Sequence, residues 1–186
     1  VNDAPAGTDR TVTTLEDTTY TFTAADFGFA DAADVPANAF LAVRISTLPV
    51  AGSLTNNGVA VSAGDMVTKA DIDLGRLVFS PAANANGAAY AFFTFQVQDD
   101  GGTTNAGSDL DATPNSITVD VTGVNDAPAG TDRTVTTLED TAYAFTAADF
   151  GFADTADSPA NAFLAVRIST VPIAGSLTNN GVVVSA

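Results

Sequence analysis

The side chains of this chain that can do chemistry are carboxylates. Of its 22 acidic residues only Glu16 and Glu139 are Glu, against six Lys and Arg and no Cys or His, for a net charge of −16. Without thiol or imidazole, Ser/His and Cys/His nucleophiles and ordinary zinc or copper sites are excluded. Two uses of carboxylates remain, paired acid–base catalysis and ligation of a hard cation. The excess of Asp favours ligation, because a merely solubilising surface uses both acids whereas Asp belongs in turns and metal-binding loops. The charge argues against nucleic acid and anionic membrane surfaces as partners and for divalent cations.

The acidic groups come in clusters, and the clusters repeat. Residues 1–63 return as residues 124–186 with seven differences, Thr19/Ala142, Thr21/Ala144, Ala32/Thr155, Val35/Ser158, Leu48/Val171, Val50/Ile173 and Ala60/Val183. The chain therefore reads as one complete unit, 1–123, followed by the first half of a near-identical unit, 124–186. A period of 123 residues suffices for one ordinary core without disulfide or metal staples. Repetition at domain scale favours reach, spacing or multivalency over a single catalytic centre. A glycosidase using two Asp is the one enzymatic reading left, and identical tandem active sites in so small a unit argue against it, so no catalytic residue is expected.

Positioning these clusters falls to strands. Short Thr/Val/Ile/Phe segments alternate with Gly/Pro/Asn/Asp clusters, and no stretch holds a helical period for three turns. Strands are expected near residues 11–14, 20–23, 40–46, 53–55, 59–61, 77–80, 90–98 and 116–122, with a tight turn at Asn57-Gly58. Leu41, Val43 and Ile45 form one apolar face, Phe93, Phe95 and Val97 a second, and Ile117, Val119 and Val121 a third. The expected class is all-β, tandem immunoglobulin- or cadherin-like β-sandwiches of about 123 residues. Phe27, Phe29, Phe92, Phe93 and Phe95 read as core, and Arg44 as a solvated strand residue.

Val1-Asn2-Asp3-Ala4-Pro5 and its copy Val124-Asn125-Asp126-Ala127-Pro128 then fall between units as linkers, stiffened by proline. If successive strands run down and up from the linker end, Glu16 and Asp17 lie at the bottom of the unit. The loop carrying Asp26, Asp31 and Asp34, with Asp99, Asp100, Asp109 and Asp111, lies at the top beside Asn2 and Asp3. The bottom pair then faces Asn125 and Asp126 and the next unit's Asp149, Asp154 and Asp157. Carboxylates so gathered repel one another unless a cation neutralises them. Many oxygens at irregular spacing suit Ca²⁺ better than Mg²⁺. The metal-ligand set expected is thus Asn2, Asp3, Glu16, Asp17, Asp26, Asp31, Asp34, Asp99 and Asp100, with Asn125, Asp126, Asp149, Asp154 and Asp157 in the second copy. Asp9, Asp65, Asp71, Asp73 and Asp120 are read as structural.

The combination of Val-Asn-Asp-Ala-Pro, Leu15-Glu16-Asp17-Thr18, Asp26-Phe27-Gly28-Phe29-Ala30-Asp31, Leu77-Val78-Phe79-Ser80-Pro81 and Phe95 to Gly101 resembles the cadherin-like repeats of giant bacterial surface and secreted adhesins. The resemblance covers the whole repeat. It implies type I secretion in the manner of RTX adhesins, an extracellular or bacterial cell-surface location, and a calcium-stiffened extender that carries an adhesive domain away from the cell. It also implies that Asn125 and Asp126 are linker ligands, Glu16 the first-strand acidic ligand, and the loop 149–157 a ligand loop. Gly123 stands where cadherin linkers carry another Asp, and the lower loop 82–89 lacks an acidic residue, which implies fewer ions per joint or weaker binding.

The expected partners are neighbouring repeats of the same chain and other copies in a laterally packed fibre. No segment reads as a membrane span. The competing reading is a carbohydrate- or protein-binding module repeated for avidity, although the absence of Trp disfavours a sugar-stacking platform. As an isolated fragment, residues 124–186 hold only the first strands of a sandwich, which predicts fraying or domain swapping.

Overall fold

The computed structural model describes residues 1–186, which divide into two compact units, Val1–Asn125 and Asp126–Ala186. Unit 1 is a two-sheet sandwich. One sheet contains β1 (Arg10–Leu15), β3 (Phe40–Ile45), β6 (Met66–Thr68), β8 (Gly87–Asp99) and β9 (Asn115–Thr122), in the order β1-β9-β8-β3-β6. The other contains β2 (Tyr20–Thr21), β4 (Ser53–Asn56), β5 (Val59–Ala60) and β7 (Leu77–Ser80), in the order β2-β7-β4-β5. First and last strands pair in parallel, Arg10 opposite Ile117 through Leu15 opposite Thr122, so both run away from the Asn2 end. No helix is long and apolar enough to cross a membrane.

Alternation along the long strands builds the core. Phe93, Phe95 and Val97 of β8 and Ile117, Val119 and Val121 of β9 are buried, and they meet Leu54, Leu77 and Phe79 of the second sheet in one apolar cluster. Phe22 and Phe27 join it edge-on, with ring centroids 5.5 Å from Phe93 and 5.0 Å from Phe95. Each such pair contributes about 1 kcal/mol beyond its buried area.

Three expectations are corrected. Leu41 is exposed and Ala42 takes the buried place, because the pairing of β3 with β8 shifts register between Phe40 and Ala42 and turns the strand by one residue. Phe92 stands on the outer face of β8, 51% exposed, as the period of two demands once Phe93 is inside. The stretch after Ala60 holds β6 and a one-turn helix, α1 (Lys69–Asp73), that were not expected. Thr68 caps this helix by accepting the Asp71 N–H at 3.1 Å, and Ile72 is its buried anchor. Five residues with one buried side chain are too short for periodicity to reveal.

Unit 2 spans the counterparts of residues 3–63. It keeps a short 3-10 turn at Ala147–Phe150, the bridge Ala129↔Ala153, and a small hairpin of β10 (Thr178–Asn179) and β11 (Val182–Val183). Phe145 is 50% exposed where Phe22 is 0%, and Val166 is 41% exposed where Val43 is 0%. In unit 1 these side chains are covered by β7, β8 and β9, whose sequences do not recur in residues 126–186.

Candidate cation-binding poles

The upper end of unit 1 is organised by the loop between β2 and β3. It opens with a 3-10 turn at Ala24–Phe27, where Thr23 and Asp26 form a reciprocal capping box. Asp26 accepts the Thr23 N–H and hydroxyl at 2.8 and 2.9 Å and the Tyr20 hydroxyl at 3.3 Å. Burial first, then the Asp26 charge, pushes the Tyr20 hydroxyl above its ordinary value. Asp149 repeats this cap in unit 2, and the Thr146 backbone N–H, followed by the Thr146 hydroxyl, draws its carboxyl below the ordinary range. Asp26 and Asp149 are thus occupied in local caps.

Past Gly28 the loop closes on the linker. Ala6 and Ala30 exchange backbone hydrogen bonds, the Asp3 N–H donates to Asp34 Oδ2 at 3.0 Å, and the Asn38 N–H donates to Asp31 Oδ2 at 2.5 Å. From the end of β8, Asp99 accepts the Asn2 amide at 3.0 Å and the Gly101 N–H at 2.9 Å on Oδ1. Asn2 sits at the centre of this end. Its amide also donates to the carbonyls of Gly102 and Ser108, and its Oδ1 accepts from Asn38 Nδ2 in a short hydrogen bond. Gly101 and Gly107 make room for it, since a Cβ at 101 would lie 2.1 Å from Asn2 Oδ1 and one at 107 would lie 3.0 Å from Asn2 Cβ.

Two carboxylate oxygens at this end have no hydrogen-bond partner. Asp99 is fully buried and its Oδ2 is unbonded, and Asp31, 8% exposed, has an unbonded Oδ1. Neither has a basic neighbour. The two ion pairs of the chain, Lys69–Asp73 and Arg76–Asp71, both at 2.6 Å, belong to α1 and its flank. Buried anionic oxygens without a donor or counter-charge are costly, and a hard divalent cation removes that cost while preferring such oxygen-only surroundings. In chemistry, these oxygen donors are of the kind a Ca²⁺-type ion prefers.

Asp3 is exposed, Asp100 accepts the Ala39 N–H at 2.7 Å, and Asp109 and Asp111 hold Gln98 and Gly7. At the opposite end Glu16, 4% exposed, accepts the Asn86 amide on Oε2 at 2.9 Å and the Val124 N–H on Oε1. Asp17, at φ 55°, accepts the Asn84 N–H. In unit 2, Asp126 N–H donates to Asp157 at 3.0 Å, Asn161 N–H donates to Asp154 at 2.6 Å, and the amide of Asn161 reaches Asp157 at 2.9 Å. Carboxylate oxygens of Asp126 and Asp157 lie within 4.8 Å, and Asp154, 6% exposed, has an unbonded Oδ1. Asn125 belongs to this linker by sequence and closes unit 1.

Sequence reasoning passed over Asn38 and Asn86. A signal for each was present. Asn38 follows Asp31 by seven residues, as Asn161 follows Asp154, and Asn84 and Asn86 are the only polar side chains of the Ala/Gly loop 82–89. The residues set aside as structural act so: Asp9, Asp65 and Asp120 accept backbone N–H groups of Ser116, Ser62 and Ala89.

A family model described as a cadherin-like domain matches residues 1–113. Neither the curated proteins nor the solved structures hold a match to the chain.

Proposed function

The chain belongs to the cadherin-like domain family, a structural and adhesive fold, and from that premise we propose that it is an extender of a large extracellular bacterial adhesin or surface fibre. In this reading successive units are stiffened by Ca²⁺ at their joints and hold an adhesive terminus away from the cell. No catalysis is assigned to it. Its partners are neighbouring repeats of the same polypeptide and, in a fibre, other copies of it.

The observation that carries the reading is the pair of buried carboxylate oxygens without partners, Asp31 Oδ1 and Asp99 Oδ2, beside the linker residue Asn2. At the opposite end of the unit, the Glu16 carboxylate grips the Val124 N–H two residues before Asp126. When bound, the ion supplies charge neutralisation and cross-links between side chains. The chain's own residues position the linker, through Asn2 and through the Asp3–Asp34 contact.

The test is a polypeptide of residues 1–123 followed by a second complete copy, compared in Ca²⁺ and in EGTA. A melting temperature several degrees higher, with a longer and stiffer particle in X-ray scattering, is expected with Ca²⁺. Identical melting and scattering in both buffers would remove the ion from the joint.

A further inference from the structure

We propose that asparagine side chains act as built-in stand-ins for a cation at the two poles of unit 1, holding the acidic groups together without an ion and competing with one that binds. The inference rests on the cation reading of the same poles and adds to it what sets the affinity. At the upper pole, Asn2 Nδ2 lies within hydrogen-bond distance of three acceptors, Asp99 Oδ1 at 3.0 Å and the carbonyls of Gly102 and Ser108 at 3.1 and 2.7 Å. An amide has two hydrogens to give, so these are shared. Asn38 Nδ2 in turn donates to Asn2 Oδ1 and to Asp34 Oδ2 at 3.2 Å. The one amide oxygen of the linker available to a hard cation is therefore already covered by a donor.

The lower pole repeats the device with other residues. Glu16 is buried, has no basic partner, and takes the Asn86 amide at 2.9 Å. Gly123 lies against that same amide, where a Cβ would stand 3.1 Å from Asn86 Nδ2. Two poles with unrelated sequence context both set an asparagine where a charge-neutralising group belongs. An amide N–H satisfies an acceptor but carries only a partial charge, which leaves Asp31 Oδ1 and Asp99 Oδ2, both more than nine-tenths buried, for an ion to complete. The predicted behaviour is a unit that stays folded in EGTA and binds Ca²⁺ more weakly than its carboxylate content suggests, because an ion taking Asn2 Oδ1 must first displace Asn38.

The experiment uses the 186-residue chain and its Asn38→Asp, Asn38→Ser and Asn86→Asp variants. CaCl₂ titrations by calorimetry are paired with melting curves in EGTA, and circular dichroism confirms the fold. The Asp variants are expected to melt about 5 °C lower in EGTA and to bind Ca²⁺ roughly tenfold more tightly, an amide donor having become a carboxylate. Asn38→Ser replaces the two amide donors by one hydroxyl on a shorter side chain without adding charge. It is expected to melt lower and bind about threefold more tightly, the competition alone being relieved. Wild type that binds Ca²⁺ while the Ser variant binds with equal or weaker affinity overturns the inference and leaves the cation reading standing. Wild type without a response, but with responding variants, upholds the inference and removes the ion from the native poles. No response in any of the four chains overturns both.

Discussion

At the level of single residues, Asp99 is where burial and charge conflict most openly. Its Oδ1 is fully used by Asn2 and Gly101, while Oδ2 is buried and unbonded. Asp99→Asn keeps the shape and deletes the charge. In EGTA the variant is expected to gain ~1 kcal/mol, because a buried charge without a partner costs more than a neutral amide. In Ca²⁺ it is expected to lose most of the ion-dependent rise in melting temperature. A lower melting temperature in EGTA would mean that the charge is stabilising by itself. Asp71 shows the opposite situation, a carboxylate with a cation at hand. The Arg76 guanidinium first, then the Asn56 amide, holds its carboxyl below its ordinary value of 3.8. A lowered value in the folded state gives stability that is fully present above pH 3.8 and fades as pH falls through the lowered value. Arg76→Ala should move the Asp71 carboxyl back up in an NMR titration and flatten the acid limb of the stability curve. The pair lies at the surface, with Asp71 partly exposed, so the effect on stability is expected to be small.

At the level of elements, the linker and the acidic loop form a local structure whose contacts lie within one short stretch of chain. Unit 2 lacks counterparts of β6 to β9, yet it keeps the capped turn, the Ala129↔Ala153 bridge, the Asp126–Asp157 contact and the Asn161–Asp154 contact seen at their counterparts in unit 1. Contacts made within about 35 residues of one another are encoded there, and a reading of spacing can reach them. The strands were legible for the same reason, since Phe93, Phe95 and Val97 announce an inward face whatever lies opposite. The register shift that exposes Leu41 was not legible, because it is set by how β3 meets β8 some 55 residues away. The partners of Asn38 and Asn86 were not legible either, being 36 and 70 residues distant, although the asparagines themselves stood out in their loops. Long-range fit also explains the glycines after β8. Gly101→Ala would drive a Cβ into the Asn2–Asn38 contact and is expected to free the linker without unfolding the sandwich. Amide exchange should speed up at Asp3 and Ser108 while Val97 and Val119 stay protected. Global loss of protection would instead make the turn part of the core.

For the whole molecule, charge decides how the result must be read. The seven positions at which the two copies differ are all exposed in unit 1, so the exchanges spare every buried residue of core and poles alike. Residues 1–63 and 124–186 therefore carry the same carboxylates, within a chain whose net charge is −16. A chain so acidic repels itself, and any salt relieves some of that repulsion by screening. A rise in stability on adding CaCl₂ is then not by itself a sign of a site. The discriminating comparison sets CaCl₂ against MgCl₂ and against NaCl at the same ionic strength, on the two-unit polypeptide. Screening treats all three by ionic strength alone, apart from a modest extra effect of divalency. A site built from carboxylate, amide and carbonyl oxygens at irregular positions accommodates Ca²⁺, whereas Mg²⁺ demands near-octahedral geometry and gives up its water reluctantly. The expected order is a clear stabilisation by Ca²⁺ at low millimolar concentration, a weaker one by Mg²⁺, and little from matched NaCl. Most of the excess due to Ca²⁺ should also be lost when Asp99→Asn is made in both units, which changes the net charge by two and leaves screening almost untouched. Equal stabilisation by all three salts, retained in Asp99→Asn, would reduce the acidic poles to a solvated surface and leave a proline-stiffened array of sandwiches.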